Sequence, residues 1–286
     1  MEKIKEALEK AKKNKPNIGE VRKRTKDSTS VPTSSASVNV ANSDEQDNED
    51  DLSAISYVNT KVTQLNPAHL EKNRIVTVSK GGSSSWVFDK LRTQVLQKMQ
   101  ENNWKTLAVL SPTPASGKTF VSINLAISIA SQPQKTVMLV DFDLRKPRVA
   151  KYLGLDEGKS LNDYFENRAE LHEVLVNPNI PRLVILPTAK PVAQPAETLS
   201  SARVNNLMQE IAQRYESRIV IYDLPPVLNA DDALIMMKKV DCVLLVVGNG
   251  MVKESEIEEA IHHIPSDKLI GVVLNKLEEA TEEYYY

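Results

Sequence analysis

Six short apolar segments recur along the chain, each ending abruptly in polar residues: Thr106–Leu110, Thr136–Asp141, 182–186, Arg218–Asp223, 241–247 and Leu269–Asn275. None alternates apolar and polar positions with the period of two that marks a half-buried strand, so each is expected to be a strand covered on both faces. Between them, 118–131, 200–215, 231–239 and 253–264 carry apolar residues three and four apart, which predicts helices. A further helix is expected from Ser84/Ser85, whose hydroxyls can cap it, with Val87, Phe88, Leu91, Val95, Leu96 and Met99 on one face. Strands alternating with helices define an α/β fold with a mostly parallel central sheet flanked by helices. Ligands of such sheets sit beyond the carboxyl ends of the strands.

The first 75 residues break this pattern. Residues 1–26 hold ten Lys/Arg and four acids, with Ile4, Leu8 and Ala11 at helical spacing, so an amphipathic N-terminal helix is expected there. Residues 27–57 contain no Lys or Arg and include the acidic run 43–51. Hydrophobicity that low cannot offset the entropy of ordering, so 27–75 is expected to be a disordered linker and 76–280 the folded domain. The basic helix is either a solvated face or a docking element for a partner or an anionic membrane surface.

Composition removes several function classes. The chain has 286 residues, with 36 Lys+Arg against 38 Asp+Glu and a net charge of -2. A protein that coats nucleic acid carries a basic surplus, so no nucleic-acid partner is expected. The single Cys excludes a disulfide framework and any Cys-ligated metal site within the chain. The longest apolar run, 242–247, falls far short of the roughly 20 residues that span a bilayer. The start, MEKIKEALEK, lacks the apolar core of a secretory signal, so a cytoplasmic protein is expected. His69, His172, His262 and His263 share no ligand spacing.

The chemistry concentrates at three strand ends. After Thr106–Leu110 comes Ser-Pro-Thr-Pro-Ala-Ser-Gly-Lys-Thr (111–119), immediately followed by a predicted helix. This is a phosphate loop, spanning Pro114, Ala115, Ser116, Gly117, Lys118, Thr119 and Phe120 at its binding end. Gly117 lets the backbone approach phosphates, and the helix start presents free N–H groups to them. Lys118 can reach the β- and γ-phosphates of ATP, and Thr119 can offer a hydroxyl to Mg²⁺. The strict pattern asks for Gly where Pro112 stands, but strand, loop and helix follow in the right order.

The second strand end carries Asp141 and Asp143, two carboxylates one residue apart, suited to an Mg²⁺ shell or to accepting a hydroxyl proton. A helix cap is the alternative, chiefly for Asp143. At the third, Asp223 closes an apolar strand before Pro225-Pro226, the place of a second Mg²⁺ carboxylate. Asn275 ends the last strand, where it can either hold the edge of an adenine or simply form a turn.

These motifs, in this order and spacing, resemble the bacterial tyrosine kinases of exopolysaccharide and capsule production, over roughly 86–286. Their Walker A form Pro-x-x-Gly-Lys-[Ser/Thr] matches Pro114 to Thr119, their Asp-x-Asp motif matches Asp141 and Asp143, and their Walker B aspartate matches Asp223. Their tyrosine cluster matches Tyr284, Tyr285 and Tyr286. The resemblance implies a P-loop NTPase fold and a Mg²⁺-dependent, ATP-driven tyrosine autokinase that phosphorylates the cluster 281–286 in trans. Within it, Lys118 binds phosphates, Thr119, Asp141 and Asp223 organise Mg²⁺, Asp143 helps activate the tyrosine hydroxyl, and Arg145 stabilises the transferring phosphoryl group. The other tyrosines are Tyr57, Tyr152, Tyr164, Tyr215 and Tyr222.

The family's Glu-x-x-Arg-x-x-Arg run corresponds here to Trp86, Asp89 and Arg92. Implied partners are a membrane polysaccharide co-polymerase that activates the kinase, further copies of the chain, and a protein-tyrosine phosphatase. The implied location is the inner face of the membrane, reached through the partner. The rival within the same fold is a MinD/ParA-like ATPase, but those carry a loop lysine where this chain has Thr113. An ATP-binding scaffold without phosphotransfer shares every site residue.

Overall fold

The structure, a computed structural model, describes residues 61–78, 85–214 and 216–277. The expected N-terminal helix 1–26, the linker as far as residue 60 and the tyrosine cluster lie outside the described residues. Eight strands form one sheet in the order β1-β4-β5-β3-β6-β2-β7-β8. They are β1 Lys61–Val62, β2 Thr106–Leu110, β3 Thr136–Asp141, β4 Val176–Asn177, β5 Leu183–Leu186, β6 Arg218–Asp223, β7 Cys242–Gly248 and β8 Leu269–Asn275. All neighbours pair in parallel except β4 with β5.

Every residue of β2, β3, β5, β6 and β7 is buried. The absence of alternation is explained by two hydrophobic clusters, one on each face. Ala108, Leu110, Met138 and Val220 join one; Leu107, Val109, Leu139 and Ile221 join the other. The helices supplying this cover are α1 Pro67–Lys72, α2 Ser85–Glu101, α3 Lys118–Ala130, α4 Val149–Leu153, α5 Leu161–Phe165, α6 Leu171–Val174, α7 Pro195–Ser200, α8 Ala202–Gln213, α9 Asp232–Met237 and α10 Glu254–His263. Among the described residues no helix is long and apolar enough to cross a membrane.

The structure departs from the expected elements in informative places. Residues 61–75, assigned to the linker by composition, carry β1 and α1 and bury Leu70 and Ile75 at 4% and 3% exposure. Asn66 caps α1 through its side chain, and Asn124 of α3 accepts from the backbone of Val76. Two apolar anchors suffice to hold this polar stretch, which a window average conceals. The helix expected over 200–215 is divided, because Ser201 is extended and its hydroxyl caps α8 at Val204. Arg182 stands outside β5 with φ of 65°. Asp241 precedes β7, and its carboxylate accepts from the Lys105 and Thr106 amides, tying the starts of β2 and β7 together.

Candidate active site

β2, β3 and β6 lie side by side, and their carboxyl ends deliver the phosphate loop, Asp141 and Asp223 to one place. Asp141 and Asp223 are direct register partners across β3 and β6, so their backbones are about 4.8 Å apart. Tyr222 and Phe142, the residues beside them, stack at 5.3 Å between ring centroids. That stack fixes the strand ends from which the carboxylates project. The site is therefore a property of sheet register rather than of flexible loops.

The loop between β2 and α3 holds an unusual backbone. Ala115 has φ of 65° and Gly117 φ of 92°, so two left-handed residues flank Ser116. Such alternation turns successive N–H groups into a concavity that accepts anions. Ser111 and Ser116 hydroxyls both donate to the Thr113 carbonyl and close the loop on itself. Val227 and Leu228 amides reach the carbonyls of Ser111 and Pro112 and fasten its base. The phosphate-facing groups are then the amides of the first turn of α3, which have no intrahelical partner. Phe120 contributes only its backbone here, since its ring packs edge-on against Phe88 at 5.6 Å.

Gly117 is required for space as well as conformation. A Cβ at this position would stand 2.1 Å from Nδ2 of Asn275, whose amide donates to the Ser116 carbonyl at 3.0 Å. Asn275, expected at an adenine edge or in a turn, is thus engaged with the phosphate loop itself. Gly117→Ala is expected to cost about 1–3 kcal/mol of stability through the left-handed backbone alone. It should also weaken ATP binding more than tenfold, as measured by calorimetric titration.

The charged groups form a buried network. Lys118 Nζ donates to Asp143 at 2.7 Å and stands 3.6 Å from Asp223. Burial by itself would depress the Lys118 ammonium, but Asp223 and Asp143 outweigh it and hold Lys118 above its ordinary value. Thr119 donates to Asp223 at 2.6 Å, and Ser122 to the other oxygen at 3.1 Å. Asp141 accepts from the amides of Arg148 and Val149, both at 2.9 Å, and so caps α4. The capping role considered for Asp143 falls chiefly to Asp141. Burial, then repulsion from Asp223, push the Asp141 carboxyl well above its usual range. Burial also raises Asp223, against the pull of Lys118.

Three buried carboxylates face a single lysine, and this surplus is what a divalent cation relieves. The donors are all hard oxygens, counting the Thr119 hydroxyl, which suits Mg²⁺. Among the described residues no three acids or histidines stand close enough to hold a metal unaided. Mg²⁺ takes one or two carboxylates and completes its shell with phosphates and water.

Arg145, expected to stabilise the transferring phosphoryl group, is held by two acidic side chains. Its guanidinium grips Asp232 through Nε at 2.7 Å and Nη2 at 3.1 Å, with Asp231 at 3.4 Å. Asp232, wholly buried at the start of α9, is a site neighbour that sequence reasoning missed. Its only signal was an acidic pair, Asp231-Asp232, opening a predicted helix.

A phosphate loop, paired strand-end carboxylates and a doubly covered parallel sheet define a P-loop nucleotide-binding domain. The AAA domain family matches residues 104–268. The tyrosine-protein kinase CpsD of Streptococcus agalactiae is 30% identical over 200 residues, covering 69% of this chain and 84% of that protein. The kinase domain of the Escherichia coli tyrosine kinase ETK superimposes with a TM-score of 0.64 at 27% identity, covering 72% of this chain and 81% of that one. The chain belongs to this family of bacterial tyrosine-protein kinases. Some relatives are much longer: the tyrosine-protein kinase ptk of Acinetobacter johnsonii matches at 28% identity over 68% of this chain but 26% of its own length.

Proposed function

We propose that this chain is an ATP-dependent protein-tyrosine autokinase of exopolysaccharide or capsule production, and that Tyr284, Tyr285 and Tyr286 are its acceptors in a neighbouring copy. The observation that carries the reading is Asp143, a buried carboxylate 2.7 Å from the phosphate-loop lysine on a strand end shared with Asp141. A carboxylate there can take the proton of an incoming hydroxyl while Lys118 holds the phosphates.

In the transfer, a tyrosine oxygen forms a bond to the γ-phosphorus and the bond from that phosphorus to the β,γ-bridging oxygen breaks. ADP leaves with that oxygen, and the phenolic proton passes to Asp143. Lys118 exchanges its Asp143 partner for phosphate oxygens, which frees the carboxylate for the proton. The amides of α3 and the concavity around Ser116 hold the phosphates in line. Thr119 and Asp223, with Asp141 beside them, would hold Mg²⁺, which would supply charge neutralisation on the phosphates. A membrane co-polymerase as activator, a phosphatase as its counterpart and self-assembly complete the reading, placing the chain at the inner membrane face through its partner.

Incubation of the purified chain with Mg²⁺ and ATP should yield phosphotyrosine, and removal of residues 284–286 should abolish it. Nucleotide binding without any label, even beside the activator's cytoplasmic segment, would instead identify an ATP-dependent scaffold. Label that survives the truncation points to Tyr57, Tyr152 or Tyr215 sooner than to Tyr222, which is wholly buried, or Tyr164, which lies under the Arg203 guanidinium.

A further inference from the structure

Three exposed cations stand on the loops that follow β3 and β5, with no acidic partner among the described residues: Lys146, Arg148 and Lys190. The site itself fixes the backbones of the first two. The Lys146 amide donates to the Asp143 carboxylate at 3.0 Å, and the Arg148 amide to Asp141 at 2.9 Å. Lys190 stands on the neighbouring loop, where Asn162 accepts from its amide at 3.1 Å and donates to its carbonyl at 2.8 Å. That loop is fastened to the Asp141 strand end by Thr188, whose hydroxyl donates to the Asp141 carbonyl at 2.6 Å, and by the bond from the Val192 amide to Leu144. Arg145 is not part of this free charge, since Asp231 and Asp232 occupy it.

The chain contains a segment of opposite charge attached to tyrosines. Residues 278–286 read Glu-Glu-Ala-Thr-Glu-Glu-Tyr-Tyr-Tyr, with four glutamates and no cation. We propose that Lys146, Arg148 and Lys190 form a basic collar that docks this acidic segment of a second copy, so that the site selects tyrosines preceded by glutamates. The proposal rests on the kinase reading for the identity of the peptide and adds its recognition.

Geometry favours a second copy over the same chain. β8, which precedes the segment, lies four strand intervals from β3 and five from β5, roughly 19 and 24 Å. The nine residues 276–284 that follow β8 span at most about 30–32 Å fully extended, so delivery within one chain would use most of that reach, whereas a second copy is free of the constraint. Docking onto ordered backbones costs the cations only their side-chain freedom, and charged rims act mainly on association and its salt dependence.

The test uses the full chain and fluorescently labelled peptides of residues 278–286, read by anisotropy for binding and by Mg²⁺-ATP labelling for transfer. A triple variant, Lys146→Ala, Arg148→Ala and Lys190→Ala, should bind the peptide about tenfold more weakly, as should the wild type with a peptide whose four Glu are Gln. KM for the peptide should rise in both cases with kcat nearly unchanged, while ATP binding by the triple variant stays the same. A charge-reversed triple (Lys146→Glu, Arg148→Glu, Lys190→Glu) should prefer a peptide bearing Lys in place of the Glu. Equal binding of the Glu and Gln peptides, or tail binding unaffected by the triple variant, overturns the collar even if all peptides are phosphorylated. So does loss of binding to phosphatidylserine vesicles in the triple variant with peptide affinity intact. Peptide binding that follows the collar charges without any phosphotyrosine would sustain the docking surface and defeat the kinase reading.

Discussion

Lys118→Met is expected to lower phosphotyrosine formation by about 10²–10³-fold, the loss that follows removal of one preorganised donor from an oxyanion site. Lys118 is the only cation in contact with the buried carboxylates Asp143 and Asp223 among the described residues. Methionine fills its volume but returns neither the charge nor the three donors. ATP affinity should fall as well, because the loop amides alone then face the phosphates. Asp143→Asn separates the two roles. It removes the charge that holds Lys118 at 2.7 Å while leaving an acceptor oxygen, so ATP affinity should hold or rise while transfer falls by about 10²–10⁴-fold, the contribution of a positioned acid or base. Equilibrium titration with ATP, followed by single-turnover labelling of the same preparations, measures the two quantities apart. Equal loss of ATP affinity in both variants would remove Asp143 from the proton-accepting role.

How much of this was legible in the sequence depended on the scale of the feature. Runs of buried Val, Leu and Ile with no alternation specified the doubly covered strands, and β2, β3, β6 and β8 have the expected bounds. The strand-end rule then placed Lys118, Asp141, Asp143 and Asp223 together before any contact was seen. Short elements escaped, because α4, α5 and α6 span four or five residues and carry less than one and a half helical turns. Their positions are fixed by partners distant in sequence: Asp141 caps α4, and the Leu161 amide that opens α5 bonds to the Pro187 carbonyl.

Side-chain pairings were the least legible. The resemblance assigns Arg145 to phosphate, yet its partner in the structure, Asp232, lies 87 residues away in the chain. The backbone of the phosphate loop was equally hidden: Ala115 adopts the left-handed conformation that glycine would serve, and nothing in its residue type announces it.

Removing a carboxylate should stabilise the protein that it disables. Asp141→Asn is expected to raise the melting temperature of the metal-free chain by about 2–4 °C, as a gain near 1 kcal/mol does in a domain of this size. The substituted amide oxygen can still accept from the Arg148 and Val149 amides, so the cap of α4 survives. What disappears is a buried charge facing Asp223. The pH dependence follows with a definite sign. Asp141 and Asp223 are both raised above the ordinary Asp value of about 3.9, so above that value the folded state binds more protons than the unfolded one. Their ionisation therefore costs stability as pH rises through the folded-state values, and that cost is relieved as pH falls back towards about 4. Urea unfolding across this window should show Asp141→Asn losing less stability with rising pH than the wild type. Adding Mg²⁺ with ATP should stabilise the wild type more than the variant, since the cation neutralises the surplus that the substitution has already removed. A variant no more stable than the wild type, with an unchanged pH slope, would show that Asp141 is not held against Asp223 as a strained charge. The same variant should transfer phosphate far more slowly, so this strand end exchanges stability for the capacity to bind a metal and phosphates.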